Sequence, residues 1–190
     1  MKRPEKIIPL FKVNMHKDVV PSVSDTLLSG YIGEGPKVIE FENALMKYLS
    51  CQNLVTTNSA TSAIHLAISM IKRLPLSDDW VGIQDGDEVL TTPLTCTATN
   101  FPILANNMNI KWVDVDLETC NLDMDNLENK LSEKTKIIMV VHWGGYPNDL
   151  DRIKEIQEKC LKLYGFRPRV IEDCAHGFGT KYKEEHFGNH

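Results

Sequence analysis

The sequence predicts an α/β fold of three layers, in which helices cover both faces of a mostly parallel sheet. Three observations support this prediction. Several segments carry apolar residues at helical spacing, short apolar runs rich in β-branched residues lie between them, and turn residues separate the two kinds. Such alternation is typical of βαβ units.

The predicted helices share an apolar stripe on one face. In the first of them Val38, Phe41 and Leu45 fall on one face, and Pro36 suits a first helical turn. Asp123 is expected to cap the fourth helix. The predicted helices cover residues 36–50, 61–73, 97–107, 123–131 and 150–164.

The predicted strands are short and apolar. The continuous run over 136–142 indicates a strand buried on both faces, as parallel sheets require. Asp85-Gly86 supplies a turn before another strand. The predicted strands cover residues 53–57, 88–92, 111–115, 136–142 and 169–172.

Composition excludes several function classes. The 190 residues include 21 Lys+Arg and 26 Asp+Glu, a net charge of −5, which argues against a nucleic-acid partner. The longest apolar run, 137–141, is far shorter than the roughly 20 residues that span a bilayer, and no signal peptide is recognisable. The five scattered cysteines form no C-x-x-C motif. We therefore expect a cytoplasmic protein with no membrane partner.

Polar residues follow three of the predicted strands, at 57–62, 92–97 and 172–176. Ligands of parallel sheets bind beyond the carboxyl ends of the strands. We therefore expect these three segments to lie on the same rim of the sheet.

The segment 57–62 turns through small residues into a helix, which would present backbone N–H groups to a phosphate or carboxylate. The alternative is an ordinary N-cap by Ser59 or Thr61 with nothing bound. The segment is not a Walker A loop. The glycines of 30–35 do not form G-x-G-x-x-G and are interpreted as a loop, which disfavours a dinucleotide binder.

Asp173 and His176 follow the last predicted strand. The carboxylate could face a cationic ring nitrogen, with the histidine in reach of the same ligand. Two alternatives are half of a metal site and an Asp that caps a following helix. The other histidines offer no recognisable ligand spacing, so no metal is predicted.

Cys96 lies in a hydroxyl-rich turn and could be a nucleophile, but no basic residue adjoins it in the sequence. A buried, inert thiol is the favoured interpretation for all five cysteines. Similarly, residues 142–145 could approach a ligand or could be a packing aromatic with a glycine turn.

Together these stretches resemble the DegT/DnrJ/EryC1/StrS family of nucleotide-sugar aminotransferases, which are fold-type-I enzymes dependent on pyridoxal 5'-phosphate (PLP). The resemblance covers nearly the whole chain in the family's order. The matching stretches are GYIGEGP (30–36), NSATSAIHLA (58–67), GDEV (86–89), VDVD (113–116), VHWGG (141–145) and EDCAHGFG (172–179).

The resemblance implies a role for each candidate residue. The backbone of Ala60 and Thr61 would hold the PLP phosphate, and Asp173 would pair with the pyridinium nitrogen. His176 would contact the cofactor near its 3-hydroxyl, where relatives carry Gln or His. Cys96 aligns with a side chain that stacks on the ring and is often aromatic in relatives, so a thiol implies weaker stacking.

The resemblance implies that the family's catalytic Schiff-base lysine and its small C-terminal domain would lie beyond residue 190. Lys181 and Lys183 match a surface hairpin instead. We therefore expect an N-terminal arm and loop over 1–35 and a partial large PLP-binding domain over 36–190, truncated before the small domain. The resemblance alone leaves two possibilities: the N-terminal piece of an aminotransferase, or an inactive remnant that binds or assembles. Residues 1–190 alone are predicted to be inactive.

For the full-length enzyme the resemblance implies a homodimer that transfers an amino group, typically from glutamate, to a nucleotide-linked keto sugar. The product would serve surface polysaccharide or related sugar biosynthesis. A dehydratase variant, with His in place of the lysine, is left open.

Overall fold

The computed structural model describes residue 9 and residues 12–189. The chain divides into two compact units, Met1–Leu45 and Met46–His190. In the first unit, helix α1 (Val19–Ser29) was not predicted from the sequence, and none of its residues is buried. It ends at Gly30, whose backbone adopts φ 79°. The predicted boundary after residue 35 stays a prediction, and its residues 1–8, 10 and 11 lie outside the described residues.

Helix α2 (Pro36–Leu49) begins at the predicted proline. In the second unit the remaining helices are α3 (Ala60–Ile71), α4 (Thr97–Ala105), α5 (Met124–Asn129) and α6 (Leu150–Tyr164), with a 3₁₀ turn over Trp143–Gly145. Within the described residues, no helix has both the length and the apolar character that crossing a bilayer requires.

The strands of the second unit are β1 (Glu88–Thr91), β2 (Asn109–Trp112), β3 (Thr135–Val141), β4 (Arg169–Asp173), β5 (Lys181–Tyr182) and β6 (Glu185–His186). The first four strands form a parallel sheet in the order β2-β1-β3-β4. A separate antiparallel pair, β5 and β6, forms the predicted surface hairpin.

Alternate residues of β1 and β3 enter two different cores. One core combines residues of α3 and α4 with strand residues Val89, Ile137 and Met139. The other combines residues of α5 and α6 with Leu90, Ile138 and Val140. Because a strand presents successive side chains to opposite faces, both faces of the sheet are covered, and the predicted three-layer architecture is confirmed.

Helix α6 has the bounds predicted from the sequence. Asp149 caps its start by accepting a hydrogen bond from the Arg152 N–H, at 3.0 Å, and Gly165 ends it with φ 81°. Its stripe of Leu150, Ile153, Ile156 and Cys160 is buried.

Two strand predictions are corrected. Residues 53–57 form no strand, because no neighbouring strand of the described chain pairs with them, and Val55 is 81% exposed. Strand β2 occupies Asn109–Trp112 rather than 111–115, since its pairing with β1 ends at Trp112 opposite Thr91. Val115 has left the sheet and forms an isolated bridge with Leu122.

Candidate active site

A cavity of about 480 Å³ lies at the carboxyl ends of β3 and β4. The three rim segments predicted from the sequence meet there, each contributing lining residues. Ala60, Cys96, Asp173 and His176 all line the cavity, whereas Thr61 lines a neighbouring groove with Phe101. The complete lining is Ala60, Ile64, Thr95, Cys96, Ala98, Thr99, Val141, Trp143, Asp173, Ala175 and His176.

The N-terminus of α3 forms one side of the cavity. Ser59 is its N-cap, and its side-chain oxygen accepts a hydrogen bond from the Ser62 N–H at 3.2 Å. Within residues 9 and 12–189, the N–H groups of Ala60 and Thr61 have no hydrogen-bond partner. Ser59 is thus an ordinary cap, and two further N–H groups at the positive end of the helix dipole are available to an anion.

Asp173 is the last residue of β4, and both of its carboxylate oxygens accept hydrogen bonds. Oδ1 accepts from the Ala175 N–H at 3.1 Å, and Oδ2 accepts from the Thr99 hydroxyl at 2.7 Å. The residues that follow form turns, so the alternative that Asp173 caps a helix is wrong. The carboxylate is therefore held at the sheet rim while it lines the cavity.

His176 is oriented by the 3₁₀ turn that follows β3. Its Nδ1 accepts a hydrogen bond from the Gly144 N–H at 3.2 Å, and the Trp143 ring meets it edge-on, 5.1 Å between centroids. Because Nδ1 is an acceptor, the neutral ring carries its proton on Nε2. The ring can therefore donate one hydrogen bond to a ligand.

Gly145 brings the backbone of this turn close to His176. Its φ is +82°, and a Cβ atom there would lie 2.8 Å from the His176 carbonyl oxygen. Both features require glycine. The glycine turn of the second interpretation of residues 142–145 is therefore present, and Trp143 lines the cavity, while the approach of this segment to a ligand stays a prediction.

The cysteines differ in exposure. Cys160 is buried, Cys51, Cys120 and Cys174 are partly buried, and Cys96 is exposed, so the prediction of a buried thiol for all five cysteines holds fully for Cys160 alone and is wrong for Cys96. Cys96 precedes the first turn of α4, which places its side chain at the open rim of the cavity. Burial raises the pKa of Cys160 to about 11 and that of Cys174 to about 12, so both thiols stay protonated near neutral pH.

The contact between Thr99 and Asp173 was missed from the sequence. Thr99 is 1% exposed, and its hydroxyl lies 2.8 Å from that of Thr95. Thr95 precedes the N-cap of α4 and Thr99 lies in its first turn, so the sequence shows two hydroxyls near the start of a helix but gives no signal for the contact with Asp173, 74 positions away.

Among the described residues, a cluster outside the cavity carries side chains of the kind that bind metal ions. The ligand atoms of His142, Glu172 and Cys174 lie within 4.8 Å of one another. However, the Asn148 N–H donates to His142 Nδ1 at 3.2 Å, so Nε2 carries the proton and donates to Glu172 Oε2 at 2.9 Å. The proximity of His142 and Glu172 is therefore explained by a hydrogen bond between them in the interior of the fold. The absence of a metal stays a prediction.

Comparison with known proteins identifies the group to which the chain belongs. The sequence profile of the DegT/DnrJ/EryC1/StrS aminotransferase family matches residues 13–190. The crystal structure of AtS13 from Actinomadura melliaura superposes with a TM-score of 0.90 at 44% identity, covering 99% of this chain and 48% of that one. Spr1654 from Streptococcus pneumoniae, in its PLP form, gives a TM-score of 0.83 at 31% identity, covering 95% and 46%.

Among curated proteins, the UDP-4-amino-4-deoxy-L-arabinose–oxoglutarate aminotransferase of Shewanella sediminis is 32% identical over 183 residues, which cover 96% of this chain and 43% of that enzyme. The chain thus spans less than half the length of each of these relatives. The resemblance inferred from the motifs is confirmed by the profile match over nearly the whole chain: the protein belongs to the DegT/DnrJ/EryC1/StrS aminotransferase family.

Proposed function

We propose that this chain carries the PLP-binding site of an aminotransferase that acts on a nucleotide-linked keto sugar. The observation that carries the proposal is the cavity, which combines a strand-end carboxylate, a histidine N–H donor and the N-terminal turn of a helix. PLP needs these three groups, since it presents a ring nitrogen, a 3-oxygen and a phosphate. A volume of about 480 Å³ is ordinary for a cofactor site.

The residues present fit the cofactor. The free N–H groups of Ala60 and Thr61 would hold the phosphate, as helix N-termini commonly do. Asp173 would pair with the ring nitrogen and stabilise its protonated form. His176 would donate Nε2–H to the 3-oxygen, and Cys96 would lie against the ring.

When bound, PLP supplies an acceptor for the electron pair left on the amine carbon. Asp173 serves this chemistry by holding a proton on the ring nitrogen, where the positive charge makes the ring a better acceptor. The apolar side chains of Ile64, Ala98 and Val141 in the lining lower the local polarity, which would strengthen the Asp173 interaction.

No described lysine lines the cavity. Lys183 forms an ion pair with Asp151 on the surface, and Lys181 lies in the same hairpin. We therefore expect residues 1–190 alone to bind PLP without forming a covalent bond to it and to show no transaminase turnover.

The Shewanella relative supports a nucleotide sugar as the substrate class and a glutamate-type amino donor. Use in surface polysaccharide or related sugar biosynthesis, a homodimer and a cytoplasmic location are further parts of the proposal. The competing proposal, an inactive binding or assembly module, predicts weak PLP binding or none.

A PLP titration followed by absorbance tests the proposal, with Asp173→Asn as the site variant. Asp125→Asn is the matched control, because Asp125 is 90% exposed and lies outside the cavity. We expect saturable binding by the wild type and the control, and at least tenfold weaker binding by D173N.

Borohydride reduction and intact-mass measurement complete the experiment. No mass gain is expected. A stable adduct on one lysine would contradict the expected absence of covalent chemistry, and wild-type binding no stronger than that of D173N would contradict the cofactor site itself.

A further inference from the structure

Two threonine hydroxyls form a directed chain of hydrogen bonds that ends on Asp173. Thr99 Oγ1 lies 2.7 Å from Asp173 Oδ2 and 2.8 Å from Thr95 Oγ1. An ionised carboxylate can only accept, so the single proton of Thr99 points at Asp173. The oxygen of Thr99 must then accept from Thr95, which fixes the direction of both bonds.

The scaffold around Thr99 is rigid. The neighbouring Asn100 accepts a hydrogen bond from the Thr91 hydroxyl at 2.8 Å and donates one to the Thr92 carbonyl at 3.0 Å. These buried bonds tie the first turn of α4 to the end of β1. Thr99 is itself 1% exposed and β-branched, so its side chain has little rotational freedom.

Asp173 is therefore held by donors from two different elements. Thr99 of α4 binds one carboxylate oxygen, and the Ala175 N–H in the following turn binds the other. Each oxygen offers two lone-pair positions, so either can still accept a hydrogen bond from a ligand. Two fixed donors define the plane of the carboxylate before any ligand arrives.

We propose that Thr99, itself oriented by Thr95, is a positioning residue that fixes the Asp173 carboxylate for the ring nitrogen of PLP. The inference rests on the proposed function, because the ring nitrogen belongs to the proposed cofactor. Thr99 acts through Asp173. Its contribution is preorganisation, since a carboxylate free to rotate must lose that freedom when the cofactor binds.

Three variants separate the links of the chain. Thr99→Val keeps the shape and removes the hydroxyl, Thr99→Ser keeps the hydroxyl, and Thr95→Val removes only the second bond. The probes are PLP and its 1-deaza analogue, in which a C–H group replaces the ring nitrogen. We expect T99V to weaken PLP binding about tenfold, T95V about two- to threefold, and T99S less than twofold.

The analogue distinguishes positioning from a structural role. Because it offers Asp173 no nitrogen, its affinity should be the same for the wild type and all three variants. An equal loss of both ligands in T99V would show that the cavity itself had changed, and unchanged PLP binding would show that Thr99 does not act on Asp173. Either result overturns the inference. T95V supplies the same test should T99V fold poorly.

Failure of the proposed function has a different signature. If the wild type binds neither PLP nor the analogue, the proposed cofactor site is wrong, and so is the proposed role of Thr99 in that site. A double-mutant cycle of T99V and D173N, measured by urea unfolding without ligand, then still reports the hydrogen bond. A coupling between the two substitutions shows that the bond exists, whereas strict additivity shows that it does not.

Discussion

The two ends of the parallel sheet differ in the surroundings of their charged groups. At the amino end, Glu88 Oε2 accepts from the Ser132 hydroxyl at 2.7 Å and from Lys111 at 3.1 Å. Lys136, 7% exposed, places its ammonium 3.8 Å from the Phe166 ring centroid. Lys136 is buried, and Glu88 and Lys111 are partly buried, so each charge is in contact with protein partners.

At the carboxyl end, Asp173 and His176 are held from one side and remain open to the cavity on the other. The N–H groups of Ala60 and Thr61 have no hydrogen-bond partner in the described chain. The difference teaches that polar groups at the amino end stabilise the fold, whereas those at the carboxyl end are fixed but left available. Substitutions at the two ends should therefore separate stability from cofactor binding.

The largest effect is expected where the carboxyl end also depends on backbone geometry. Gly145→Ala places a Cβ 2.8 Å from the His176 carbonyl oxygen at a φ of +82°. We expect the free energy of unfolding to fall by about 2–4 kcal/mol, because backbone atoms must move and the positive φ is strained. PLP affinity should fall with it, since the same turn orients His176. Urea unfolding and PLP titration measure the two effects.

Gly144→Ala is the matched control for this prediction. Gly144 also has a positive φ, +62°, but no atom lies within 4 Å of the position a Cβ would take. Only the backbone strain remains, and we expect a loss of about 1 kcal/mol. Equal losses in the two alanine variants would contradict the close approach of Gly145 to His176.

The amino end should show a loss of stability without a loss of binding. Burial opposes the charge of Glu88, but the Ser132 hydroxyl and Lys111 outweigh it and lower its pKa below the ordinary value of 4.5. A carboxyl group whose pKa is lowered by folding stabilises the native state above 4.5, and this contribution disappears as pH falls through the folded pKa. Glu88→Gln should cost about 1 kcal/mol at pH 7 and flatten the acid limb of the stability curve.

Urea unfolding between pH 3 and 7, with PLP titration at pH 7, checks the Glu88 prediction. The exposed Glu118 serves as the control, because Glu118→Gln removes a carboxyl group of the same kind without those partners. Unchanged PLP affinity in E88Q would support the separation of the two ends. A loss of PLP affinity equal to that of D173N would contradict the separation of the two ends.

The parts of this fold that could be predicted from the sequence are those fixed by neighbouring residues. Helix α6 has its cap, its apolar stripe and its terminal glycine within one short segment, so its bounds follow directly. Residues 53–57 look equally suitable for a strand, yet a strand also needs a partner, and pairing depends on distant parts of the chain. Asp173 was found because it follows an apolar strand.

Its partner Thr99 was not found, because the two residues are 74 positions apart and meet only when α4 packs on the sheet. The register of β2 could not be predicted for the same reason, because it is set by the pairing of β2 with β1. Local signals therefore predicted residues that line the cavity, whereas the contacts that hold those residues could be seen only in the folded chain.

The smallest effect is expected at Cys96, where the side chain lines the cavity but has no hydrogen-bonding role at the helix start. Cys96→Ala should leave stability unchanged and alter PLP affinity by less than about twofold, because a thiol adds little contact area beyond a methyl group.

The exposure of the Cys96 thiol offers a more sensitive measurement. A thiol reagent should label Cys96 well before Cys160 and Cys174, whose pKa values of about 11 and 12 keep them protonated. A PLP concentration that saturates the wild type should slow the labelling of Cys96 in the wild type and slow it much less in D173N. If PLP binds but does not change the labelling rate of Cys96, the cofactor lies away from the carboxyl end of the sheet. That result would contradict the binding role given to the polar groups at this end.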